Sequence, residues 1–463
     1  MKVPNSMNKA ALSDLLAGHR AFFAANRTKD LSFRREQLKK LRQMIVANEA
    51  VLFDALKQDL GKPALESYAG ETGFLVRQID AALKNLACWA KPRQVRTPLA
   101  HFPGRSYIHQ EPYGVVLIIG PWNFPFQLML GPLIGAMASG NCALLKPSLT
   151  ALRTSHLLAE LIRDTFDAGY ISCVEGGAET TQLLLEERFD YLFFTGGPAA
   201  GRIVMAAAAK YLTPVSLELG GKNPCIVDHD VDLEVAARRI VWGKFFNCGQ
   251  SCVAPDYLLV HRDIKAPLLQ RMEAAIREFY GADPLQSPDY GRIIDQGHFD
   301  RIMGLLDSGT VVAGGIGDRS LRYIAPTLLD HVVASAPVMQ EEIFGPLLPI
   351  LTYEHIDEAI ALVNGLPKPL ALYLFSRNRP LQERILRETS SGGACFNDVV
   401  IQQTSDTLPF GGVGESGMGA YHGKAGFDAF SHQRSVVRRG FLFDMLLRYP
   451  PYKDHLKWIR KLW

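Results

Sequence analysis

Gly114-Val-Val-Leu-Ile-Ile-Gly120 places five consecutive large aliphatic residues between two glycines. A continuous apolar run of this length is typical of a strand buried on both faces, as in parallel sheets. Three similar short runs follow along the chain: Ala143–Leu145, Tyr191–Phe194 and Pro224–Val227. Helical patterns at 152–166 and 201–210 lie between them. Strands that alternate with helices predict an α/β fold with a mostly parallel sheet.

The segments that follow these predicted strands are candidates for ligand binding, because ligands bind at the carboxyl ends of strands in such sheets. They are Pro121-Trp-Asn-Phe-Pro125, Lys146-Pro-Ser148 and Phe194-Thr-Gly-Gly197. The alternation of strands and helices repeats from about Gly220 to Ser390. The second half of the chain is therefore expected to form a second α/β domain.

The composition is that of an ordinary globular protein: 48% of the 463 residues are apolar and 21% are charged. The length predicts two or three packed domains. Fifty Lys and Arg residues against 47 Asp and Glu leave a net charge of +3, which gives no electrostatic case for nucleic acid as a partner. The N-terminus has no basic-then-apolar signal pattern, so a cytoplasmic location is expected.

The seven cysteines are scattered, with no CxxC pair and no Cys/His cluster of zinc spacing. We therefore expect no metal site. An odd number of scattered cysteines also favours a reducing compartment.

Two segments raise the question of membrane contact. No residue from Pro112 to Leu145 is charged, but four prolines break the stretch, so we expect no transmembrane segment. The C-terminal tail, residues 435–463, combines apolar and basic residues, and Pro450-Pro451 divides it into pieces too short to span a bilayer. Peripheral membrane contact, a gate over a substrate tunnel, and packing on its own domain or on a partner subunit are the alternatives for this tail.

Three residues are candidates for chemistry. Cys252 ends the stretch Asn247-Cys-Gly-Gln-Ser-Cys252 and is the candidate nucleophile, since thiolates attack carbonyl carbons and leave well from thioesters. Glu218, in Glu218-Leu-Gly-Gly-Lys222, is a carboxylate near a strand end that can act as a general base if its pKa is raised. Asn123 offers a side-chain amide to a developing oxyanion. Taken singly, each has an ordinary alternative: a buried small residue, a turn carboxylate and a turn-capping asparagine.

These stretches occur together in the order expected of the aldehyde dehydrogenase superfamily, which the chain resembles from about Phe33 to Arg434. The match also includes Glu341-Glu-Ile-Phe-Gly-Pro346 and Pro409-Phe-Gly-Gly412. Within the superfamily the class 3 branch, which oxidises fatty and aromatic aldehydes, is the most similar. The stretches that carry this finer resemblance are Ala206-Ala-Ala-Ala-Lys210, Cys252-Val-Ala-Pro-Asp-Tyr257 and Gly417-Met-Gly-Ala-Tyr-His-Gly423.

The resemblance implies a domain organisation. A Rossmann-like NAD(P)-binding domain would comprise residues 1–90 and 112–218, and an α/β catalytic domain residues 219–400. Residues 91–111 and 401–434 would form a small β oligomerisation arm, followed by the tail. The expected assembly is a homodimer.

The resemblance also implies a reaction, the oxidation of hydrophobic aldehydes, aliphatic or aromatic, to carboxylic acids. Cys252 would form a thiohemiacetal whose oxyanion is held by Asn123 and by the backbone N–H of Cys252. Loss of hydride would leave a thioester, and Glu218 would activate the water that hydrolyses it.

The cofactor implied by the resemblance is NAD or NADP. Lys146 would bind the adenine ribose hydroxyls, and Gly196 and Gly201 would let the backbone approach the diphosphate or the adenosine. Glu342 would bind the nicotinamide ribose, and Phe344 would pack near the nicotinamide end. Outside this set of motifs, Glu342 would be interpreted as a surface carboxylate and Phe344 as a core aromatic.

One departure and one misleading motif qualify the resemblance. Many relatives carry a glutamate after Lys-Pro-Ser, where this chain has Leu149, which weakens the case for strict use of NAD. Arg153, one helical turn later, is either a contact for an NADP phosphate or a solvated helix arginine.

Gly412-Val-Gly-Glu-Ser-Gly417 spells GxGxxG, but it lies outside a strand–turn–helix context and does not predict dinucleotide binding. His422, just beyond it, is interpreted as a structural or surface histidine rather than a catalytic one.

Two other functions compete with a dehydrogenase. A Cys–Glu site that forms a thioester would also serve an esterase or acyl-transfer enzyme, but such an enzyme needs no ribose contacts such as Lys146 and Glu342. A non-catalytic protein on the same fold would be expected to have lost Cys252, Glu218 or Asn123.

Overall fold

The computed structural model describes residues 7–462. The α-helices, numbered in chain order, are α1 (Lys9–Ala24), α2 (Leu31–Ala47), α3 (Glu49–Leu60), α4 (Ala64–Ser67), α5 (Gly73–Ala90), α6 (Gln127–Ser139), α7 (Leu152–Thr165), α8 (Ala178–Glu186), α9 (Pro198–Ala209), α10 (Leu233–Phe245), α11 (Lys265–Tyr280), α12 (Gln296–Met303), α13 (Pro337–Gln340), α14 (Ile356–Gly365), α15 (Arg379–Glu388), α16 (Gly423–Ala429) and α17 (His455–Leu462). A π-helical turn, Tyr68–Thr72, joins α4 to α5.

The strands, numbered in the same way, are β1 (Arg93–Val95), β2 (Arg105–Pro112), β3 (Val115–Ile119), β4 (Cys142–Lys146), β5 (Ile171–Cys173), β6 (Tyr191–Gly196), β7 (Val215–Leu219), β8 (Pro224–Val227), β9 (Tyr257–His261), β10 (Thr310–Ala313), β11 (Gly317–Asp318), β12 (Tyr323–Ile324), β13 (Thr327–Asp330), β14 (Leu347–Tyr353), β15 (Ala371–Phe375), β16 (Gly393–Phe396), β17 (Gly417–Met418) and β18 (Ser431–Arg438).

The first sheet has the strand order β17-β7-β6-β3-β4-β5 among the described residues. All of β3 is buried, and Leu117 lies opposite Leu144 of β4 on one side and Leu192 of β6 on the other. The strands from β5 to β7 are parallel, and β17 adds an antiparallel edge. The predicted α/β class is therefore confirmed, and the carboxyl ends of β3, β4, β6 and β7 meet at one edge of this sheet.

The second sheet has the order β10-β13-β14-β9-β8-β15-β16 within residues 7–462. Its strands are parallel except β10, and β8 pairs with β9 and with β15. Only residues 220–223 separate β7 of the first sheet from β8 of the second. This short connection holds the carboxyl end of β7 beside the second sheet.

The third sheet joins β1, β2 and β18, which lie far apart in the sequence. Here the observed boundaries differ from the predicted arm, because β18 continues past residue 434 to pair Arg438 with Arg105. Other parts of residues 401–434 belong elsewhere: β17 joins the first sheet, and α16 packs against α6. Long-range pairing decides these boundaries, and the local sequence pattern does not show it.

The chain after β18 leaves several large apolar side chains exposed, among them Phe441, Leu442 and Leu446. Helix α17 packs against the 3₁₀ turn Leu446–Arg448. None of the helices described between residues 7 and 462 is long and apolar enough to cross a membrane. Over the same residues, no group of three or more His, Cys, Asp or Glu side chains is arranged to hold a metal ion.

Candidate active site

Cys252 lies in the loop between α10 and β9, and the residues before it set the path of that loop. Asn247 and Cys248 have left-handed backbone conformations, with φ values of 52° and 54°. Gly249 follows at φ +73°, and a Cβ there would lie 2.3 Å from the carbonyl oxygen of Gly345. Only glycine fits this position, which explains the glycine of the motif around Cys252.

Two side-chain amides then fasten the loop to the domain. Gln250 donates from Nε2 to the carbonyl oxygens of Asn247 and Arg292, both at 3.0 Å. Asn223 donates from Nδ2 to the Cys252 carbonyl oxygen at 2.7 Å. The position of the Cys252 backbone is therefore determined by hydrogen bonds from both sides.

Cys252 is half-buried and borders two cavities. Burial raises its pKa, and the nearby charges of Glu342 and Glu218 raise it further. The backbone N–H groups of Cys252 and Val253 donate hydrogen bonds to the sulfur, and these bonds lower the pKa of the thiol. These N–H groups lie where an oxyanion formed on a substrate bound to this sulfur would need donors.

Glu218 occupies the carboxyl end of β7 and is 3% exposed. It lies opposite Gly417 of β17, and a Cβ on Gly417 would approach the Leu217 carbonyl oxygen to 1.9 Å. Neither carboxylate oxygen of Glu218 has a hydrogen-bond partner among the described residues. Burial without such partners raises its pKa well above the ordinary value. Once ionised, a carboxylate with a raised pKa is a stronger base toward water than an exposed glutamate.

Asn123 follows β3 and is 2% exposed. Its Nδ2 donates to the carbonyl oxygen of Gln250 at 3.1 Å, and Asn247 donates from Nδ2 to the Asn123 carbonyl oxygen at 3.0 Å. An amide nitrogen carries two hydrogens, so one donor of Asn123 remains for a ligand.

A cavity of about 230 Å³ brings the three candidate catalytic residues together. The side chains around it that matter for the reaction are those of Asn123, Glu218, Cys252, Glu342, Phe344 and Trp122, and Gly196 contributes backbone. Phe344 has φ +48° and its ring meets that of Trp122 edge-on, with centroids 5.3 Å apart. The structure therefore gathers at one site residues that are far apart in the sequence.

Glu342 is held at the edge of this cavity by glycines. Its Oε2 would lie 1.9 Å from a Cβ on Gly220, and its carboxylate accepts a hydrogen bond from the backbone N–H of Gly221. Burial raises the pKa of Glu342 to about 8, with the charge of Asp256 as the next contribution. Within the described residues its Oε1 has no hydrogen-bond partner. This oxygen is a buried acceptor that suits a ligand hydroxyl.

A second cavity, of about 410 Å³, opens at the carboxyl end of β4. Lys146 lines it, is 3% exposed, and donates from Nζ to the Pro147 carbonyl oxygen at 2.8 Å. Burial lowers the pKa of Lys146 to about 8. Leu149 also lines this cavity, and among the described lining residues Lys146 alone is charged. Arg153 lies exposed on α7, outside the lining.

Helix α9 begins between these two cavities. Gly197, which precedes its first turn, lines the first cavity, and Ala200 lines the second. The free N–H groups of a helix N-terminus attract phosphate groups. Gly201 has a packing role, since its Cα faces Leu219, whose Cδ2 would lie 2.8 Å from a Cβ on Gly201. Gly201 thus lets α9 approach β7, and contact of Gly201 with a cofactor remains a prediction.

A third cavity shares the lining residues Cys252 and Leu128 with the first one. It measures about 110 Å³ and is mostly apolar. Five aromatic side chains line it, those of Phe74, Phe124, Trp242, Phe246 and Phe410. Leu128 and Val400 complete its apolar lining. Cys252 therefore separates an apolar chamber from the cavity that contains Glu342.

Comparison with known proteins supports one family throughout the chain. The sequence profile of the aldehyde dehydrogenase family matches residues 2–436. The chain belongs to the aldehyde dehydrogenase family.

Two curated relatives and one solved structure show how close the similarity is. The chain is 50% identical to 4,4'-diaponeurosporen-aldehyde dehydrogenase of Staphylococcus aureus, over 95% of this chain and 96% of that protein. It is 48% identical to the dimeric NADP-preferring aldehyde dehydrogenase of Rattus norvegicus, over 96% and 98%. A substrate-bound structure of Staphylococcus aureus AldH aligns with a TM-score of 0.96 at 49% identity, covering 98% of this chain and 99% of the other. The predicted class 3-like aldehyde dehydrogenase is confirmed, and with it an NAD(P)-dependent enzyme.

The residues present fit the nicotinamide dinucleotide that this aldehyde dehydrogenase uses. The orphaned Oε1 of Glu342 suits a ribose hydroxyl, and the start of α9 suits the diphosphate. Lys146 provides a buried cation in the second cavity. The two cavities flank the N-terminus of α9, so each can hold one nucleoside of a dinucleotide whose diphosphate lies at the helix.

Several residues of this aldehyde dehydrogenase site were not predicted from the sequence. Phe124 and Phe410 belong to quoted motifs, but Phe74, Trp242 and Phe246 carried no signal, because each is an ordinary apolar residue of a helix or its end. Their common function appears only when the elements are assembled.

The region of the GxGxxG sequence also has a clear role. Gly417 belongs to the edge strand that pairs with β7 beside Glu218, which is a structural role. His422 is buried between the rings of Phe410 and Tyr421, with centroids 5.3 and 4.2 Å away. Burial lowers its pKa to about 3, so this histidine is neutral at physiological pH.

Proposed function

We propose that this aldehyde dehydrogenase oxidises hydrophobic aldehydes, aliphatic or aromatic, by covalent catalysis at Cys252. The observation that carries the proposal is the position of Cys252, between an apolar aromatic chamber and the cavity that contains Glu342. An apolar chamber favours the hydrocarbon part of a substrate, while its carbonyl group reaches the sulfur.

The first steps use Cys252 and Asn123. The Cys252 thiol first loses its proton to water, and the resulting thiolate attacks the aldehyde carbon to form a thiohemiacetal. Its oxyanion accepts hydrogen bonds from the free Nδ2 hydrogen of Asn123 and from the backbone N–H of Cys252. Such donors are fixed before the reaction, so their stabilisation of the oxyanion costs little reorganisation.

A nicotinamide cofactor held by Glu342, Lys146 and the start of α9 would accept hydride from the thiohemiacetal, which would leave a thioester on Cys252. Glu218 then takes a proton from a water molecule, which attacks the thioester carbon. The carboxylic acid leaves and the Cys252 thiolate is restored. Burial, which raises the pKa of Glu218, makes this carboxylate a stronger base than an exposed glutamate.

The test follows reduced-nicotinamide absorbance with purified protein, NAD or NADP, and a panel of short, long and aromatic aldehydes. We expect the highest kcat/KM with long or aromatic aldehydes. Cys252-dependent hydrolysis of esters without any aldehyde turnover would instead favour an esterase or acyl-transfer enzyme. Absence of both activities would favour a non-catalytic protein.

The presence of Leu149 in the second cavity leads to a prediction about the use of NAD and NADP. No acidic residue is present among the described lining of the second cavity, and a nearby carboxylate, Glu175, acts on Lys146, so we infer that both NAD and NADP are used. Leu149→Glu should lower kcat/KM for NADP by about 10- to 100-fold, since like charges brought together cost several kcal/mol. The matched control is Leu149→Gln, which has the same length without the charge. An equal change in both variants would contradict the electrostatic explanation.

We also propose a cytoplasmic homodimer. The three-stranded sheet has an exposed edge at β18, where Val437 is 59% exposed, and the apolar tail beyond it is uncovered in a single chain. Partner packing would bury these side chains. Light scattering should give twice the mass of one chain, and removal of residues 439–463 should weaken the dimer. Binding of the purified protein to anionic vesicles would instead favour peripheral membrane contact by the tail.

A further inference from the structure

Lys62 and Glu71 form a buried ion pair beside the active site. Their side chains are 0% exposed, and Lys62 Nζ lies 2.7 Å from Glu71 Oε1. Lys62 follows α3, and Glu71 belongs to the π-helical turn Tyr68–Thr72. π-helical turns are rare and occur often at functional sites. Burial of two charges is costly unless further hydrogen bonds satisfy them, so the other contacts of this pair are informative.

Those further contacts are all made to the segment that carries Asn123. Lys62 Nζ donates to the Asn123 carbonyl oxygen at 3.0 Å and lies 4.2 Å from the ring centroid of Phe124. Glu71 Oε2 accepts from the backbone N–H groups of Phe126 and Gln127, at 3.1 and 2.8 Å. The pair thus holds the Asn123 loop at its beginning and the first turn of α6 at its end.

The opposite side of Asn123 is held by the loop of Cys252. Asn247 donates from Nδ2 to the carbonyl oxygens of both Asn123 and Gln250. Asn123 in turn donates from Nδ2 to the Gln250 carbonyl oxygen. With the backbone fixed by Lys62 and one amide hydrogen fixed by Gln250, the direction of the second amide hydrogen is determined.

We infer that Lys62 and Glu71 are positioning residues for Asn123, which set the donor of the oxyanion site relative to Cys252. This inference rests on the proposed role of Asn123 in the reaction. The pair itself touches neither the sulfur nor the Glu218 carboxylate, so it acts on the reaction through the Asn123 loop.

The test is a mutant cycle with Lys62→Met/Glu71→Gln, prepared in the natural chain and in an Asn123→Ala background. The double change removes both charges of the pair together, while the nearby Glu66 carboxyl, which also faces Lys62, remains; the amide introduced by Glu71→Gln keeps an oxygen for the N–H groups of α6. Misplacement of a catalytic group by about 1 Å costs on the order of 100-fold, so we expect kcat to fall by about 10- to 100-fold in the natural chain. In the Asn123→Ala background the same change should lower kcat by less than about threefold, because the donor it positions is already absent.

The matched control is Arg34→Met. Arg34 is also a buried cation that donates to carbonyl oxygens, including that of Ala138 near the other end of α6. We expect it to lower the melting temperature while kcat stays within about twofold, since a stability change away from the site leaves the folded site intact.

The outcomes separate the inference from the proposed function. An equal loss of kcat in both backgrounds, or no loss in either, would overturn the positioning role while leaving Asn123 as the oxyanion donor. An Asn123→Ala variant with full activity would overturn the proposed role of Asn123 and this inference together. If the double variant does not fold, Lys62→Arg alone, which keeps the charge facing Glu71 and alters the donor to the Asn123 carbonyl oxygen, is put through the same cycle.

Discussion

Cys252→Ala should abolish aldehyde oxidation, with kcat falling by about 10⁴- to 10⁶-fold, the range found when a catalytic nucleophile is removed. Without the sulfur no thiohemiacetal forms, and the aldehyde presents no carbon from which hydride can leave easily. The measurement is reduced-nicotinamide absorbance at saturating aldehyde and cofactor. The apolar chamber and the cofactor cavity keep their other lining residues in this variant, so binding of NAD or NADP should persist.

Cys248→Ala is the matched control for this loss. Cys248 lies in the same motif, but its side chain is 1% exposed and its sulfur packs near Gly291, away from the cavities. We expect its turnover to stay within about twofold of the natural chain, since the change removes only a small buried group. Substantial turnover by Cys252→Ala would contradict covalent catalysis at that residue.

Glu218→Gln should separate the two halves of the reaction. Thiohemiacetal formation and hydride loss do not need the carboxylate, whereas hydrolysis of the thioester does. We therefore expect a rapid burst of about one reduced cofactor per active site, followed by a steady rate lowered by about 10²- to 10⁴-fold, the usual contribution of a general base. Rapid mixing measures the burst, and the intact mass of the trapped protein should show the acyl group on Cys252.

The raised pKa of Glu218 adds a pH dependence with a defined sign. Burial favours the protonated, neutral carboxyl group, and only the ionised form can accept a proton from water. In the natural chain the rate of thioester hydrolysis should therefore rise with pH until Glu218 is fully ionised. The Glu218→Gln variant should lose this rise below the range where hydroxide itself hydrolyses the thioester. A full steady rate without a burst in that variant would assign the base to another residue.

The strands of the first sheet could be predicted well because they are buried on both faces. The runs at 115–119 and 143–145 correspond to β3 and β4, and the latter extends by one residue on each side. The predicted helix from residue 201 begins earlier, at Pro198, since proline is favoured in the first turn of a helix. Strand β17 could not be predicted, because its two residues gain their structure only by pairing with β7.

The residues of the candidate site could be predicted where the side chain itself is reactive or polar, and not where it is an ordinary apolar group. Cys252, Glu218 and Asn123 stand out as a nucleophile, a base and a donor, and the structure places all three around one cavity. Phe74 and Trp242 are indistinguishable in sequence from other helix residues, and only assembly shows that they line the apolar chamber. Gly201 has a packing role against Leu219 that the sequence did not indicate, while its contact with a cofactor stays a prediction.

The edge strand that pairs Gly417 with Glu218 also bears on how the protein is made. Synthesis proceeds from the N-terminus, so β7 leaves the ribosome long before the residues that cover its open edge. Until then the backbone beside the catalytic base remains unpaired, and exposed strand edges invite association with other chains. Contacts between residues so distant in sequence also form slowly. Completion of the active site is thus a late event in the biosynthesis of this enzyme, and nascent chains that stop before Gly417 lack a finished catalytic centre.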